Sequence, residues 1–320
     1  MMKTSYKIFL LALMMFTAST QNIFAQQDPG YSQYMFNTLL INPAYAGNRD
    51  VLNLSALYRQ QWVNIDGAPR TFTFAADGPI FNEKVGLGLI STFDKVGYTS
   101  VTSVMGQVAY RLRFTQKGTL SFGASFGAQQ FTFDMSNVNY KIPGQTLDDA
   151  TFDNNISKWV PNVGFGLYFS TDKAYIGLSA PKLLNNGLSS NNIEVNLKEI
   201  SGKASQYRHY MLMAGFVSRI SHTWVIKPST LIKAVNGAPI QFDVNANFWY
   251  YDFFGFGLSY RSSDALVAML EIQATPEFRI GYAYDYSTNG LGAYNNGSHE
   301  LMVRYELGAR KSKMLTPRYF

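Results

Sequence analysis

From Val51 onward, apolar and polar residues alternate along the chain with a period of two. Between Val104 and Phe114, Val104, Val108, Tyr110, Leu112 and Phe114 share one face, while Gln107, Arg111 and Arg113 share the other. Leu120, Phe122, Ala124 and Phe126 oppose Ser121, Gly123, Ser125 and Gly127, and Val163, Phe165, Leu167 and Phe169 oppose Asn162, Gly164, Gly166 and Tyr168. Toward the end, Phe278, Ile280, Tyr282 and Tyr284 oppose Arg279, Gly281, Ala283 and Asp285, and Leu301, Val303, Tyr305 and Leu307 oppose Met302, Arg304 and Glu306. Successive side chains of a strand point to opposite faces, so alternation sustained over about ten residues predicts a strand. About fourteen such segments are predicted. They lie near 51–64, 69–77, 84–93, 100–115, 118–134, 159–171, 173–180, 207–220, 223–234, 239–250, 252–262, 265–273, 276–287 and 298–308.

The connections sort by parity. Links from even to odd strands are tight, at Thr115–Lys117, Thr171–Lys173, Ser221–Thr223, Tyr251–Asp252 and Thr275–Glu277, with Gly78–Lys84 longer. The longest links, Met135–Lys158, Pro181–Tyr207 and Ser287–Ser298, all run from odd to even. Short periplasmic turns, long extracellular loops and an even strand count are the pattern of a bacterial outer-membrane barrel. The faces agree. One is almost wholly Phe, Leu, Val, Ala and Tyr, and the other is rich in Gly, Ser, Asn and Arg. In water that apolar face needs a second sheet of equal size; lipid supplies the partner, and a closed ladder satisfies every backbone group. The expected fold is all-β: a transmembrane barrel of about 14 antiparallel strands with outer-membrane lipid around it.

Composition narrows the function. Of 320 residues, 47% are apolar and 15% aromatic, but only 15% are charged, against roughly 25% in ordinary soluble proteins. There is no cysteine, which removes disulfides and thiolate metal sites. The net charge of +6 is not gathered into a basic run, so nucleic acid is not an expected partner. Lys3 and Lys7, the apolar stretch Ile8–Phe16 and a small residue at Ala25 read as a secretory signal peptide cut before Gln26. The expected organisation is therefore a signal peptide over 1–25, a periplasmic or plug segment over 26–50, the barrel over 51–308 and a periplasmic tail over 309–320.

Catalysis finds little footing, and neither an enzyme nor a cofactor is expected. His209, His222 and His299 lie in or beside turns and form no H-E-x-x-H pair, and no Gly-x-Ser-x-Gly elbow occurs. A lumen serine paired with His209 or His299 is the one hydrolase arrangement that distant residues leave open. Gly86/Gly88, Gly164/Gly166 and Gly255/Gly257 sit in strands with no helix after them, which suits lumen glycines better than phosphate loops. Asp148, Asp149, Asp153 and Glu194 lack the spacing of a calcium loop, so no metal is expected. Arg59, Arg111, Arg113, Arg261, Arg279 and Arg304 fall on or near polar strand faces. They form either a cationic lumen that favours anions, the basis of a porin reading, or ion pairs with Asp243, Asp285 and Glu306.

One stretch fits no strand: Tyr31–Asn37, followed by Ile41–Gly47. Tyr34, Phe36, Leu39, Leu40, Ile41 and Tyr45 are too apolar for a disordered leader and require burial. A short helix aligning Tyr34, Asn37 and Ile41, ended by Asn42-Pro43, is expected to plug or brace the barrel from its periplasmic mouth or to present a docking surface. Tyr34, Phe36, Asn42, Pro43 and Tyr45 are the candidate plug or docking residues.

Gln27–Asn37 and Ile41–Gly47 closely resemble the start of the PorP/SprF family of outer-membrane proteins, part of the type IX secretion and gliding machinery of Bacteroidetes. The resemblance continues through Tyr58–Trp62, Gly67–Arg70, Val85–Leu89, Phe254–Arg261 and Pro317–Phe320. It implies a non-enzymatic role in export or surface attachment of large secreted proteins, such as adhesins carrying a C-terminal sorting domain, and contact with other type IX secretion components. It carries over no catalytic residue. A passive or anion-selective porin is the alternative.

Overall fold

In the computed structural model, residues 30–81, 83–114, 118–134, 156–184, 208–236 and 238–307 are described. The expected signal peptide and C-terminal tail, most of the two longest loops, and Asp148, Asp149, Asp153 and Glu194 lie outside these residues.

The alternating segments become fourteen antiparallel staves: β1 Leu52–Gln60, β2 Arg70–Ile80, β3 Val85–Val96, β4 Thr99–Arg113, β5 Gly118–Phe133, β6 Ile156–Thr171, β7 Ala174–Ala180, β8 His209–Arg219 with a break at Val217, β9 Trp224–Val235, β10 Gln241–Tyr250, β11 Phe254–Arg261, β12 Ala265–Gln273, β13 Phe278–Ser287 and β14 Ser298–Leu307. Each pairs with its sequence neighbours, and β14 pairs with β1 from Leu52↔Leu307 to Gln60↔His299, which closes the ring. A closed ring leaves no sheet edge, the condition for strands in hydrocarbon. One end of the barrel carries the long connections (the loop end) and the other the tight ones (the turn end). Both barrel termini, Leu52 and Leu307, lie at the turn end.

Several ends differ from the expected segments: the first strand stops at Gln60 rather than 64, the third runs on to Val96 and the sixth begins at Ile156; two further departures involve proline. Strand β2 runs on to Ile80, past the breakers Gly78 and Pro79, and pairs with β3 as Pro79↔Gly86 and Ile80↔Val85. Its pairing with β1 stops at Asn53↔Asp77, so Pro79 lies past the last pair on that side and its missing N–H costs no ladder bond there. The break in β8 has the same origin. Ser229↔Gly215 and Ile226↔Ser218 keep one register, which sets Pro228 opposite Phe216, and the ladder skips where the proline has no donor.

The apolar face turns outward. Leu258, Phe126 and Phe165 are 64%, 60% and 57% exposed, whereas Ser125, Gln107 and Asn247 are buried in the lumen. Leaving a large apolar side chain in water instead of burying it forgoes about 1.5–3 kcal/mol. Repeated around a whole wall, that penalty makes lipid the natural solvent of this face.

Candidate functional site

The lumen holds the stretch that fitted no strand. Gly30–Asp50 runs inside the ring of staves, from Ser32 near the loop end to Asp50 at the turn end. Its side-chain hydrogen bonds reach β1 (Asn37 to Ser55), β2 (Tyr31 to Thr73), β4 (Gln107 to the Leu39 carbonyl), β6 (Asn42 to the Leu167 carbonyl), β7 (Ser179 to the Ile41 carbonyl) and β10 (Asn245 to Tyr34). Others reach β11, β13 and β14 through Arg261, Asp285, Glu300 and Arg304.

The expected single helix is not what forms. A turn at Gln33–Asn37 is followed by two short 3-10 turns, Thr38–Leu40 and Pro43–Tyr45. Asn42-Pro43 starts the second of these rather than ending a helix. The Asn42 side chain accepts the Ala44 N–H at 2.9 Å, and Pro43 occupies the first turn position, where a missing N–H is harmless. The segment also passes well beyond the turn-end mouth. Ser32 and Gln33, polar residues among aromatics, are the signal that was overlooked: they satisfy buried charges near the far end.

All five candidate residues on this segment are buried. Tyr34 accepts the Asn245 amide at 2.6 Å. Phe36 packs with Val267, Met269, Ala283 and Met302. Tyr45 meets Tyr168 edge to face, with ring centres 5.4 Å apart. Burial holds the Tyr34 and Tyr45 phenols above their ordinary pKa, and Tyr31 is pushed up to about 12 by the same desolvation. Asn42 and Pro43 lie against glycines of the wall. A Cβ at Gly86 would strike the Ala46 carbonyl, one at Gly123 the Ala44 amide, and one at Gly166 the Asn42 side-chain oxygen. At Gly86 and Gly123 backbone meets backbone, the close approach that only glycine permits.

Charges anchor both ends. Near the loop end, Arg59 binds Asp285 at 2.7 Å and Glu300 at 3.1 Å, and Arg261 binds Asp243, Asp264 and Asp285 at 3.3–3.4 Å. The Ser32 and Gln33 amides each donate to Glu300 at 2.8 Å, and the Ser32 hydroxyl donates to Asp285. At the turn end, Arg49 binds Glu306 at 2.8 Å and Asp50 binds Arg111 at 2.7 Å. There the Gly47 amide donates to Asp77, and Arg304 donates to the Phe36 carbonyl and pairs with Glu306.

Of the six arginines expected on or near polar faces, Arg59, Arg111, Arg261 and Arg304 are buried and paired, and Arg279 pairs with Glu271 at 3.4 Å. Arg113 instead lies half exposed at the turn-end rim, paired with Glu83. Of the two arrangements left open by the sequence, the arginines take the ion pairs, including those with Asp243, Asp285 and Glu306. Arg49, Asp50, Asp77, Glu271 and Glu300 went unnoticed, although the alternation already placed the last three on the inner face.

The histidines do not converge. His299 bonds Tyr282 on the outward face at 2.6 Å, so it does not meet a lumen serine. His222 lies in the β8–β9 turn, and His209 opens β8. Among the described residues no group of three His, Asp or Glu is placed to hold a metal.

Comparison with solved structures returns barrels. A channel for monoaromatic hydrocarbons, CymD, aligns over 89% of this chain and 94% of its own at 13% identity and a TM-score of 0.48. A FadL homologue of Pseudomonas aeruginosa aligns over 87% and 95% at 12% identity and a TM-score of 0.46. No curated protein matches the sequence. The type IX secretion system membrane protein family PorP/SprF matches residues 23–305, nearly the whole length, including the lumen segment and all but the end of β14. A closed antiparallel barrel with an apolar outer wall is the architecture of outer-membrane proteins, which agrees with a family of membrane proteins. The chain belongs to the PorP/SprF family of type IX secretion system membrane proteins.

Proposed function

We propose that this chain is a plugged, non-enzymatic outer-membrane barrel that assists type IX secretion by binding the C-terminal sorting domain of large secreted proteins, adhesins among them, for export or surface attachment. The observation that carries the reading is the Gly30–Asp50 segment, buried along the lumen and bonded to staves on every side. A barrel filled this way is suited to holding a partner rather than to passing solutes. The paired lumen arginines support the same reading, because they remove the open cationic surface on which anion selectivity would rest. In this reading residues 1–25 are the cleaved signal peptide, the tight turns face the periplasm and the long loops face the cell surface. Gly30–Asp50 acts as the plug, with Tyr34, Phe36, Asn42, Pro43 and Tyr45 as its anchoring residues.

The test has two arms. Deletion of the gene should leave one or a few large surface proteins unexported or released into the medium. The purified barrel in planar bilayers should be closed, and should conduct once residues 30–50 are removed. Normal display of every such protein in the deletion strain would refute the secretion role. Steady conductance by the intact chain would favour the porin.

A further inference from the structure

The staves themselves build a second cluster in the lumen, near the turn end and on the side of β9–β13. One cross-strand row runs Trp249↔Gly255↔Glu271↔Gly281 over four neighbouring staves. Gly255 gives the Trp249 indole its place, since a Cβ there would come within 2.8 Å of the ring. Val217 and Val225 pack with Trp249 to form an apolar floor. Over the ring stand two cations, the Lys227 ammonium at 4.6 Å and the Arg279 guanidinium at 4.5 Å from its centre. Arg279 also reaches Glu271 and Gln273. Arg304 and Arg49 complete the neighbourhood, each interacting electrostatically with Lys227.

Among the described residues charge does not balance here. Lys227, Arg279, Arg304 and Arg49 face Glu271, Glu306 and Asp77, and Asp77 is already held by the Asn53 amide at 2.8 Å and the Gly47 N–H at 2.9 Å. Among the described residues the buried Trp249 indole N–H, Arg304 Nη2 and Arg49 Nε have no hydrogen-bond acceptor, and of the cluster's own carboxylate oxygens only Glu271 Oε1 is likewise unpartnered. A donor buried without an acceptor costs roughly 1–3 kcal/mol, more when charged, and an excess of like charge away from bulk water adds to that. Lys227 and Arg279 keep part of their surface accessible. The Arg279 guanidinium and the Lys227 side-chain nitrogen, both within 4.6 Å of one ring centre, are donors that a carboxylate accepts. The groups point into the lumen, away from the lipid-facing wall, so the ligand arrives through water.

We propose that this basin is a binding site for the carboxylate groups of an acidic peptide segment entering from the turn-end mouth, with Arg279 as the binding charge, Lys227 as a second donor and Trp249 as the platform. It does not depend on the function proposed above. The test uses the full-length chain in detergent, reading Trp249 emission as the difference from Trp249→Phe. Hexaglutamate is the probe, with hexaglutamine and inorganic phosphate beside it. Hexaglutamate should give a saturable change that weakens at least tenfold in Arg279→Gln and in Lys227→Gln but not in the rim variant Arg113→Gln. Heat-dependent gel migration identifies variants that fold. Should Arg279→Gln fail to fold, Lys227→Gln decides. An equal response to hexaglutamine, an equal response to phosphate, or hexaglutamate binding that survives Lys227→Gln would each overturn the proposal.

Discussion

Near the loop end of the lumen two arginines, Arg59 and Arg261, share four carboxylates: Asp243, Asp264, Asp285 and Glu300. At the turn end the surplus is reversed, with Lys227, Arg279, Arg304 and Arg49 around Glu271, Glu306 and Asp77. The N-terminal segment meets the two ends differently. To the acidic end it brings uncharged donors, the amides of Ser32 and Gln33 and the Ser32 hydroxyl, which complete the shells of Glu300 and Asp285. To the basic end it brings charges of its own, Arg49 and Asp50, each paired with one wall residue. The acidic end is thus a closed network that loses its balance if any member leaves, while the basic end is a set of separable pairs nearer to water. The segment is fastened most firmly at the end farthest from where it joins β1.

The sharpest way to break this contrast is Arg59→Met. It strands Asp285 and Glu300 in a dry site, and removing one partner of a buried pair typically costs about 3–5 kcal/mol. Urea unfolding in lipid vesicles should show a loss of that size, partly recovered when Glu300→Gln is added. A loss of 1 kcal/mol or less would mean that water reaches this cluster and that the two ends are alike.

Between the ends the segment depends on shape rather than charge. Gly86→Ala places a methyl on the Ala46 carbonyl, and overpacking of this kind costs about 1–3 kcal/mol. The barrel should still form, because β3 keeps both neighbours, but the segment should be displaced. Trypsin cleavage at Arg49, protected in the parent, measures that displacement. Gly255→Ala, which crowds Trp249 of the wall, should leave Arg49 protected.

At the basic end Arg49→Gln should cost clearly less than Arg59→Met, because Glu306 keeps Arg304 at 3.2 Å and one of several neighbouring cations is removed. Combined with Arg59→Met, the two losses should add, the sites being far apart. Marked coupling in the double-mutant cycle would show that the segment transmits strain from one end to the other.

The barrel was readable because a single rule, alternation over about ten residues, governs every stave, and lipid removes the competing demand for a second layer. The stave count follows from it, and most boundaries to within two residues, with larger differences at the ends of β1, β3 and β6. Departures also came at Pro79 and Pro228, where the consequence of a missing N–H depends on what lies across the ladder. Alternation also put Arg111, Arg261, Arg279 and Arg304 on the polar face. It could not say that these arginines would find carboxylates, because partners such as Asp243 and Arg261 meet only once register is set. The lumen segment was the least readable part. Its burial followed from its aromatic content, but its path is fixed by contacts with distant glycines, and its turns by local capping at Asn42 that a helical reading of the same residues passes over.

The smallest effect, and the one that isolates the upper part of the segment, comes from base. The Tyr31 hydroxyl bonds Thr73 at 2.9 Å, and burial holds its proton up to about pH 12, with Asp94 and Glu300 adding negative charge nearby. In the unseated segment the phenol ionises near its ordinary value of about 10. Seating therefore binds a proton that the released segment gives up. The contribution of Tyr31 is complete below pH 10 and is lost as pH rises toward 12. Protection of Arg49 from rapid proteolysis should fall across that window, while Tyr31→Phe, which has no proton to lose, should hold its protection to higher pH. The phenols of Tyr34 and Tyr45, also raised by burial, set the background that remains in the variant. Identical pH profiles for the parent and Tyr31→Phe would mean that the segment is anchored through Ser32 and the charged network alone, and that its first aromatic residue is only a spacer.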